Sequence, residues 1–189
     1  MINIVLASLL SAIPPARPGA ASPSSREPPP AAQLTDEEVQ QRVEALLGTI
    51  DTRIPAEQWH ALGPRGTALL ERIAQDPNML PSKRAGAVAG LSVIGAPSSS
   101  TVLLDLARSE QAPLTVRLNA VHGTPGVLPA SQVGAALKSV LEGAKDAHVR
   151  RAAAEVLSRH GGCSLVRAQA RREADAVQMQ SALERCDKR

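Results

Sequence analysis

Residues 82–88, SKRAGAV, recur as TVRLNAV at residues 115–121 and as HVRRAAA at residues 148–154. The arginines of the three segments stand at 84, 117 and 150, so the two intervals between them are equal. Similarity at a fixed period of roughly 33 residues is typical of helical hairpins stacked side by side, each of which buries its apolar face against the next. The repeat therefore predicts an array of helix pairs rather than a single closed core.

The composition favours an all-α fold. Hydrophobic residues make up 43% of the 189 residues, yet there is no Phe or Tyr and only one Trp, Trp59. Packing therefore depends on Leu, Val, Ile and Ala. Ala and Leu are strong helix formers, whereas sheets draw on aromatic and β-branched residues. The scarcity of aromatic rings also argues against nucleic acid as a partner, because single strands are usually held by stacking on such rings.

The net charge of +3 is unevenly distributed. From Lys145 to the C-terminus there are ten basic and six acidic residues, a balance of +4, whereas the preceding part has eleven basic and twelve acidic residues, a balance of −1. A basic C-terminal part can attract an acidic partner or a membrane surface. A solvated face with extra arginines is the simpler interpretation, so a membrane surface is not favoured.

The beginning of the chain has the features of an export signal followed by a linker. Residues 4–13, IVLASLLSAI, form an apolar run of signal-peptide length that is too short to span a bilayer. We expect residues 1–21 to be a signal peptide, residues 22–34 a disordered Pro/Ser-rich linker, and residues 35–187 the helical repeat domain. Because no Lys or Arg precedes the apolar run, the alternative is a cytoplasmic protein in which this run is not a signal.

The first helix of the repeat domain is predicted from its start and stop residues. Thr35 is a good N-cap, and the three acidic residues that follow it are favoured in a first turn by the helix dipole. Apolar residues then follow at helical spacing, and we expect Gly48 to end the helix.

The two cysteines, Cys163 and Cys186, both lie in the C-terminal part of the chain. On one unbroken helix they would be about 35 Å apart, far beyond the reach of a disulfide. If the chain instead turns at residues 173–175, Cys163 opens one helix and Cys186 closes its neighbour, so the two would face each other. We expect this disulfide, which would suit an exported protein. Two unrelated thiols are the alternative.

Each repeated segment is followed by a second apolar stretch at helical spacing, for example at residues 102–106 and 133–141. Residues 149–157, VRRAAAEVL, after Asp146, resemble the first helix of a HEAT-like repeat, whose pattern is an acid or proline, a Val-Arg pair, spaced alanines and a closing Leu. Residues 81–84 and 113–117 match this pattern more weakly, and residues 175–183 resemble a partial, terminal copy. The resemblance implies a short right-handed α-solenoid of antiparallel helix pairs with three to four HEAT-like repeats.

The resemblance also bears on the recurring arginines. HEAT-like arrays serve as protein-binding scaffolds, and a related group acts as lyases that attach bilin pigments to proteins. Because the repeat pattern reflects helix packing, we expect Arg84, Arg117 and Arg150 to bond a carboxylate or carbonyl of a neighbouring repeat rather than to form a basic ladder for an acidic ligand. Residues 123–126, GTPG, interrupt the second copy, and we expect its helix to be shortened or kinked there.

The sequence contains no recognisable pattern of catalytic or cofactor-binding residues. The four histidines, at 60, 122, 148 and 160, form no His-x-x-x-His pair and have no metal-site spacing to the cysteines or to paired carboxylates. There is no Gly-x-Ser-x-Gly elbow, glycine-rich phosphate loop or dinucleotide fingerprint. We therefore expect no enzyme activity, no cofactor and no metal site.

These observations favour a non-enzymatic scaffold, periplasmic or secreted, that binds another protein or peptide. Second helices usually line the inner face of HEAT-like arrays, so their charged residues are the candidate contacts. These are Arg65, Arg72, Asp105, Arg108, Lys138, Arg167 and Arg171. Two alternatives remain open. One is an accessory protein of the bilin-lyase-like HEAT group, which would need a deep pocket and a bound chromophore, and the other is an envelope-associated structural module.

Overall fold

Thr35 starts the first helix in the computed structural model, which describes residues 34–49, 53–173 and 176–188. The Thr35 hydroxyl accepts a hydrogen bond from the Glu38 N–H at 3.2 Å, and the Glu38 carboxylate accepts one from the Thr35 N–H at 2.8 Å. This capping box satisfies donors that the first turn would otherwise leave free. Helix α1 (Asp36–Gly48) ends at the predicted glycine. The segment assigned to a signal peptide, and all of the assigned linker except Leu34, lie outside the described residues.

Every regular element within the described ranges is helical, and no strand occurs there. The all-α class predicted from composition is therefore confirmed. Short 3₁₀ turns at Pro97–Ser99 and Ala176–Met179 precede the fifth and tenth helices. The helices after α1 are α2 (Ala56–His60), α3 (Gly63–Gln75), α4 (Pro81–Ile94), α5 (Ser100–Arg108), α6 (Leu114–Val127), α7 (Ala130–Gly143), α8 (Ala147–Arg159), α9 (Cys163–Ala170) and α10 (Gln180–Asp187).

From α3 onward the helices contact one another in two series. α4 packs on α6, α6 on α8 and α8 on α10, and we call these four the first-helix series. α3 contacts α5, α5 contacts α7 and α7 contacts α9, and we call these four the second-helix series. The series also contact each other through α3 and α4, α5 and α6, and α7 and α8. The three copies of the repeated segment occupy the first halves of α4, α6 and α8.

Leucine, valine and alanine side chains fill the space between the two series. Leu103 and Leu157 are among the largest side chains that are fully buried. Ala87, Ala120 and Ala153, one in each copy of the repeated segment, are also completely buried. Small side chains at these contacts let the helix axes approach closely. The core therefore forms without Phe or Tyr, as the composition predicted.

The GTPG stretch does not shorten its helix, so that part of the expectation is wrong. α6 runs to Val127 with Pro125 inside its last turn, where the missing N–H removes only one helical hydrogen bond. The stretch has a packing role instead. A Cβ atom at Gly126 would overlap the carbonyl oxygen of Ser92, so glycine at this position allows α6 to lie against α4.

Candidate binding surface

Cys163 and Cys186 are joined by a disulfide, with their Cα atoms 5.5 Å apart. Cys163 is the first residue of α9, and Cys186 lies in the last turn of α10. The pairing predicted from sequence is therefore confirmed, although two residues of the expected turn, Ala174 and Asp175, lie outside the described residues. The bond fastens the last two helices to each other near the end of the chain, where local opening is easiest.

Two of the recurring arginines cap the helices that precede them. Arg84, near the start of α4, donates from Nε to the carbonyl of Ala74 in the last turn of α3 at 2.9 Å. Arg150, near the start of α8, donates from Nη1 to the carbonyls of Ala144 and Lys145, both at 2.7 Å. A cation stabilises the C-terminal end of a helix because the last carbonyls carry partial negative charge. The structural interpretation of Arg84 and Arg150 is confirmed.

Arg117, the arginine of the second copy, makes no such hydrogen bond within the described residues. Its side chain is 5% exposed, and neither Nε nor Nη2 has a hydrogen-bond partner within the described residues. The expected bond from these atoms to a neighbouring repeat is therefore not formed. Glu110 is close enough to Arg117 for their charges to interact, but the larger cause of the lowered pKa of Glu110 is its hydrogen bond from Lys145.

Arg150 also forms a two-point ion pair with Glu173. Nε lies 2.6 Å from Oε1 and Nη2 lies 2.9 Å from Oε2, and the side chains are only 18% and 12% exposed. The hydrogen bonds from Arg150 hold the pKa of Glu173 below its usual range despite the opposing effect of burial, and Gln169 adds a further hydrogen bond at 2.9 Å. The same hydrogen bonds raise the pKa of Arg150. Glu173 thus ties the segment after α9 to the start of α8.

Three of the cations expected to contact a partner are bonded to residues elsewhere in the chain. Arg108 links α5 to α7, and Arg167 links α9 to the last residue of α10. These side chains contribute to the packing of the helices, so they are less available to a partner. The bonds are Arg65 to Asp36 at 3.3 Å, Arg108 to Ser139 at 3.1 Å and Arg167 to Asp187 at 3.1 Å.

The other three expected cations are exposed and have no partner among the described residues. The side chains of Arg72, Lys138 and Arg171 make no hydrogen bond or ion pair within the part of the chain that the structure describes. Together with Asp105 they stand at 72, 105, 138 and 171, so successive members are separated by one full period of the repeat. We call these four residues the charge ladder. The ladder could have been found from the sequence, because its members are separated by the same interval as the repeated arginines.

The ladder follows the second-helix series from one helix to the next. Arg72 lies on α3, Asp105 on α5 and Lys138 on α7, and Arg171 directly follows α9. Counting Arg171, the exposed ionisable side chains of this series are six cations and two acids, a balance of +4. By contrast, α4 and α6 expose no Lys, Arg, Asp or Glu. The first-helix series exposes Lys, Arg, Asp or Glu side chains only on α8 and α10, among the described residues, and these are three cations and two acids, a balance of +1.

Large apolar side chains are exposed elsewhere in the described ranges. These are Leu80, Val93, Leu114 and Val177, none of which belongs to the second-helix series. A cleft of about 620 Å³ lies between the end of α1 and the first half of α4, with a mainly aliphatic lining that includes Leu47, Ile54 and Leu80. The large exposed apolar side chains of the described residues therefore lie off the second-helix series, whose exposed charges are mainly basic.

Two further findings concern ligands and membranes. Among the residues with described positions, no group of three or more His, Cys, Asp and Glu side chains is placed to hold a metal ion. In the same residues no helix combines the length and apolar character needed to cross a bilayer.

The chain matches no protein family, no curated protein and no solved structure. The likeness to HEAT-like repeats accordingly rests on the sequence pattern, with which the packed helices are compatible.

Proposed function

We propose that residues 35–187 form a short right-handed α-solenoid of three to four HEAT-like repeats, built from antiparallel helix pairs. The two series of helix contacts support this arrangement, because stacked hairpins bring equivalent helices of successive repeats together. The equivalent roles of Arg84 and Arg150 support it as well, since each caps the helix before its own. A repeat array of this kind offers an extended surface rather than a deep pocket.

We further propose that the protein is a non-enzymatic scaffold that binds another protein or a peptide along the second-helix series. The observation that carries this proposal is the charge ladder, in which Arg72, Lys138 and Arg171 recur in register, exposed and without partners in the described residues. Their neighbours Arg65, Arg108 and Arg167 are bonded within the chain. A partner would gain the full charge of the three ladder cations without first breaking a bond to any described residue.

Site-specific photo-crosslinking tests this proposal with the full chain. A photoreactive residue is placed at Ala135 on α7 or, as the matched control, at Ala89 on α4, since both alanines are exposed. On exposure to the native exported fraction, we expect a defined crosslinked product from position 135 and none from position 89. Equal crosslinking from the two positions would contradict the assignment of the binding surface.

The same crosslinking is then repeated in charge variants. Replacing Arg72, Lys138 and Arg171 together with glutamine should abolish the product. Arg185→Gln, which changes an exposed cation of α10 that makes no hydrogen bond or ion pair with the described residues, should leave the product intact. A product that survives the triple substitution would show that the ladder does not bind the partner.

We also propose that the protein is exported. The disulfide supports this location, because such bonds persist in oxidising compartments and are rare in the cytosol. Fractionation of the native host, followed by alkylation of the protein before and after reduction, provides the test. We expect the protein in the periplasm or the medium with no alkylated thiol before reduction, and a cytosolic protein with two alkylated thiols would refute the proposal.

A further inference from the structure

We propose that the segment bound by the second-helix surface is an extended acidic peptide whose acidic residues are spaced in multiples of three. This inference rests on the proposed function and specifies the chemistry of the partner. It follows from two properties of the charge ladder, namely the distance between its members and the order of their charges.

The distance follows from helix packing. The ladder residues lie on α3, α5 and α7 and directly after α9, and each of these helices contacts the next. Packed helices have axes about 8–10 Å apart. A chain in the extended polyproline II conformation has three residues per turn and rises about 3.1 Å per residue, so every third side chain lies on the same face, about 9 Å from the last. A peptide that crosses the helices would therefore present every third side chain to successive members of the ladder, and about ten residues would span all four.

The order of charges determines which of these positions should be acidic. Arg72, Lys138 and Arg171 are cationic, but the α5 position holds Asp105. Asp105 lies 4.0 Å from Arg108, its neighbour on the same helix, so this position already carries its own counter-charge. A carboxylate opposite Asp105 would be repelled. Counted from the residue opposite Arg72, the preferred segment thus has acids at its first, seventh and tenth residues and a neutral residue at its fourth.

A peptide fits this surface better than a nucleic acid or a membrane does. The only tryptophan, Trp59, is 5% exposed and lies against Gly90 of α4, so the surface offers no aromatic ring on which bases could stack. Peripheral membrane binding needs apolar side chains that enter the bilayer beside the cations. The exposed large apolar residues of the described ranges all lie off the second-helix series. Separated carboxylates on a polar backbone match what the series presents.

The test measures the fluorescence anisotropy of labelled ten-residue peptides titrated with the full-length, oxidised protein. The spaced peptide has Glu at its first, seventh and tenth positions, Gln at its fourth, and Gly or Ser elsewhere. The clustered peptide has the same composition with its three Glu residues adjacent. We expect the spaced peptide to bind about fivefold more tightly than the clustered peptide. Its affinity should fall as the salt concentration rises from about 0.05 M to 0.5 M, because exposed charge pairs are screened.

Charge variants then assign the contacts. Arg72→Gln, Lys138→Gln and Arg171→Gln should each weaken binding about two- to threefold, as for exposed ion pairs, and about tenfold in combination. Arg185→Gln is the matched control and should have no effect. Asp105→Lys should reverse the preference at the fourth position, so that a peptide with Glu at all four spaced positions binds that variant more tightly than it binds the wild type.

The outcomes separate this inference from the proposed function. If spaced and clustered peptides bind equally, or if the ladder variants behave like Arg185→Gln, the proposed spacing is wrong. If no acidic peptide binds although position 135 crosslinks a partner in a ladder-dependent way, the partner is not an acidic peptide, and the scaffold function stands. If anionic vesicles bind while peptides do not, the surface recognises membranes and the inference is overturned. The absence of both crosslinking and peptide binding would refute the inference and the proposed function together.

Discussion

Replacing Glu173 with glutamine removes the carboxylate that neutralises Arg150 while it preserves the shape of the side chain. In the native protein Arg150 donates two hydrogen bonds to Glu173, at 2.6 Å and 2.9 Å, and two more to the carbonyls of Ala144 and Lys145. Breaking a fully buried ion pair by removing one partner costs about 3–5 kcal/mol. Because Arg150 is 18% exposed and keeps its two carbonyl partners, we expect Glu173→Gln to lower the free energy of unfolding by about 2 kcal/mol.

The assay is urea unfolding followed by far-ultraviolet circular dichroism at neutral pH. The matched control is Arg151→Gln, at the position next to Arg150. Arg151 pairs with Glu155 one turn away at 3.4 Å, and these side chains are 50% and 27% exposed. Such surface pairs contribute about 0.3–0.5 kcal/mol, so the control should be close to the wild type. A Glu173→Gln variant no less stable than Arg151→Gln would refute the view that this ion pair holds the C-terminal helices in place.

The pH dependence of the same comparison gives an independent check. The pKa of Glu173 is lower in the folded protein, chiefly because of the hydrogen bonds from Arg150, than the ordinary value of about 4.3 in the unfolded chain. Its contribution is therefore fully present above the unfolded pKa and is lost as the pH falls through the folded pKa. We expect the difference between the wild type and Glu173→Gln to be constant near neutral pH and to narrow below about pH 4. A difference that persists unchanged in acid would contradict this explanation.

Two further predictions concern stability. Replacing Cys163 and Cys186 with alanine removes a cross-link with a sequence separation of 23, and we expect the free energy of unfolding to fall by about 3 kcal/mol. The measurement is the urea midpoint, which should be lower. An unchanged midpoint would show that the bond does not constrain the unfolded chain. At Gly90 a Cβ atom would come within 2.6 Å of the Trp59 ring, so Gly90→Ala should destabilise the protein by about 1–3 kcal/mol. The control is Gly134→Ala on α7, where no atom lies within 4 Å of the added carbon. This variant should be neutral or stabilising by up to about 1 kcal/mol. Equal thermal midpoints for these two glycine variants would contradict the close contact between α2 and α4.

Much of the local structure was predictable because its causes are close together in the sequence. The capping box at Thr35 needs only Thr35 and Glu38, and the end of α1 needs only Gly48. The facing cysteines followed from the length of chain on each side of a turn. Of the expected shortening or kink in α6, the shortening does not occur. The close contact with Ser92, which makes glycine useful at position 126, joins residues far apart in the chain and was not visible in the local pattern.

For the candidate surface, the sequence predicted where the charged residues lie but not which of them are paired. Six of the seven expected contact residues lie on the second helices to which the repeat assigned them, and Arg171 directly follows the last of these helices. The sequence could not show which of these charges are available to a partner. Arg65 pairs with Asp36 and Arg167 with Asp187, and both contacts join residues far apart in the chain. The sequence also could not show the state of Arg117, whose Nε and Nη2 have no hydrogen-bond partner within the described residues, unlike the side chains of Arg84 and Arg150 at the equivalent positions.

The sequence by itself determined the period of the repeat, the all-α class, the first helix start and the pairing of Cys163 with Cys186. These features depend on spacing and on interactions between near neighbours, which a linear pattern records. Only the tertiary structure decided that Arg150 shares a mostly buried ion pair with Glu173 and that Arg72, Lys138 and Arg171 are left unpaired within the described residues. The physical reason is that charge pairing depends on distances of a few ångströms between side chains on different helices, and these distances are set when the helices pack.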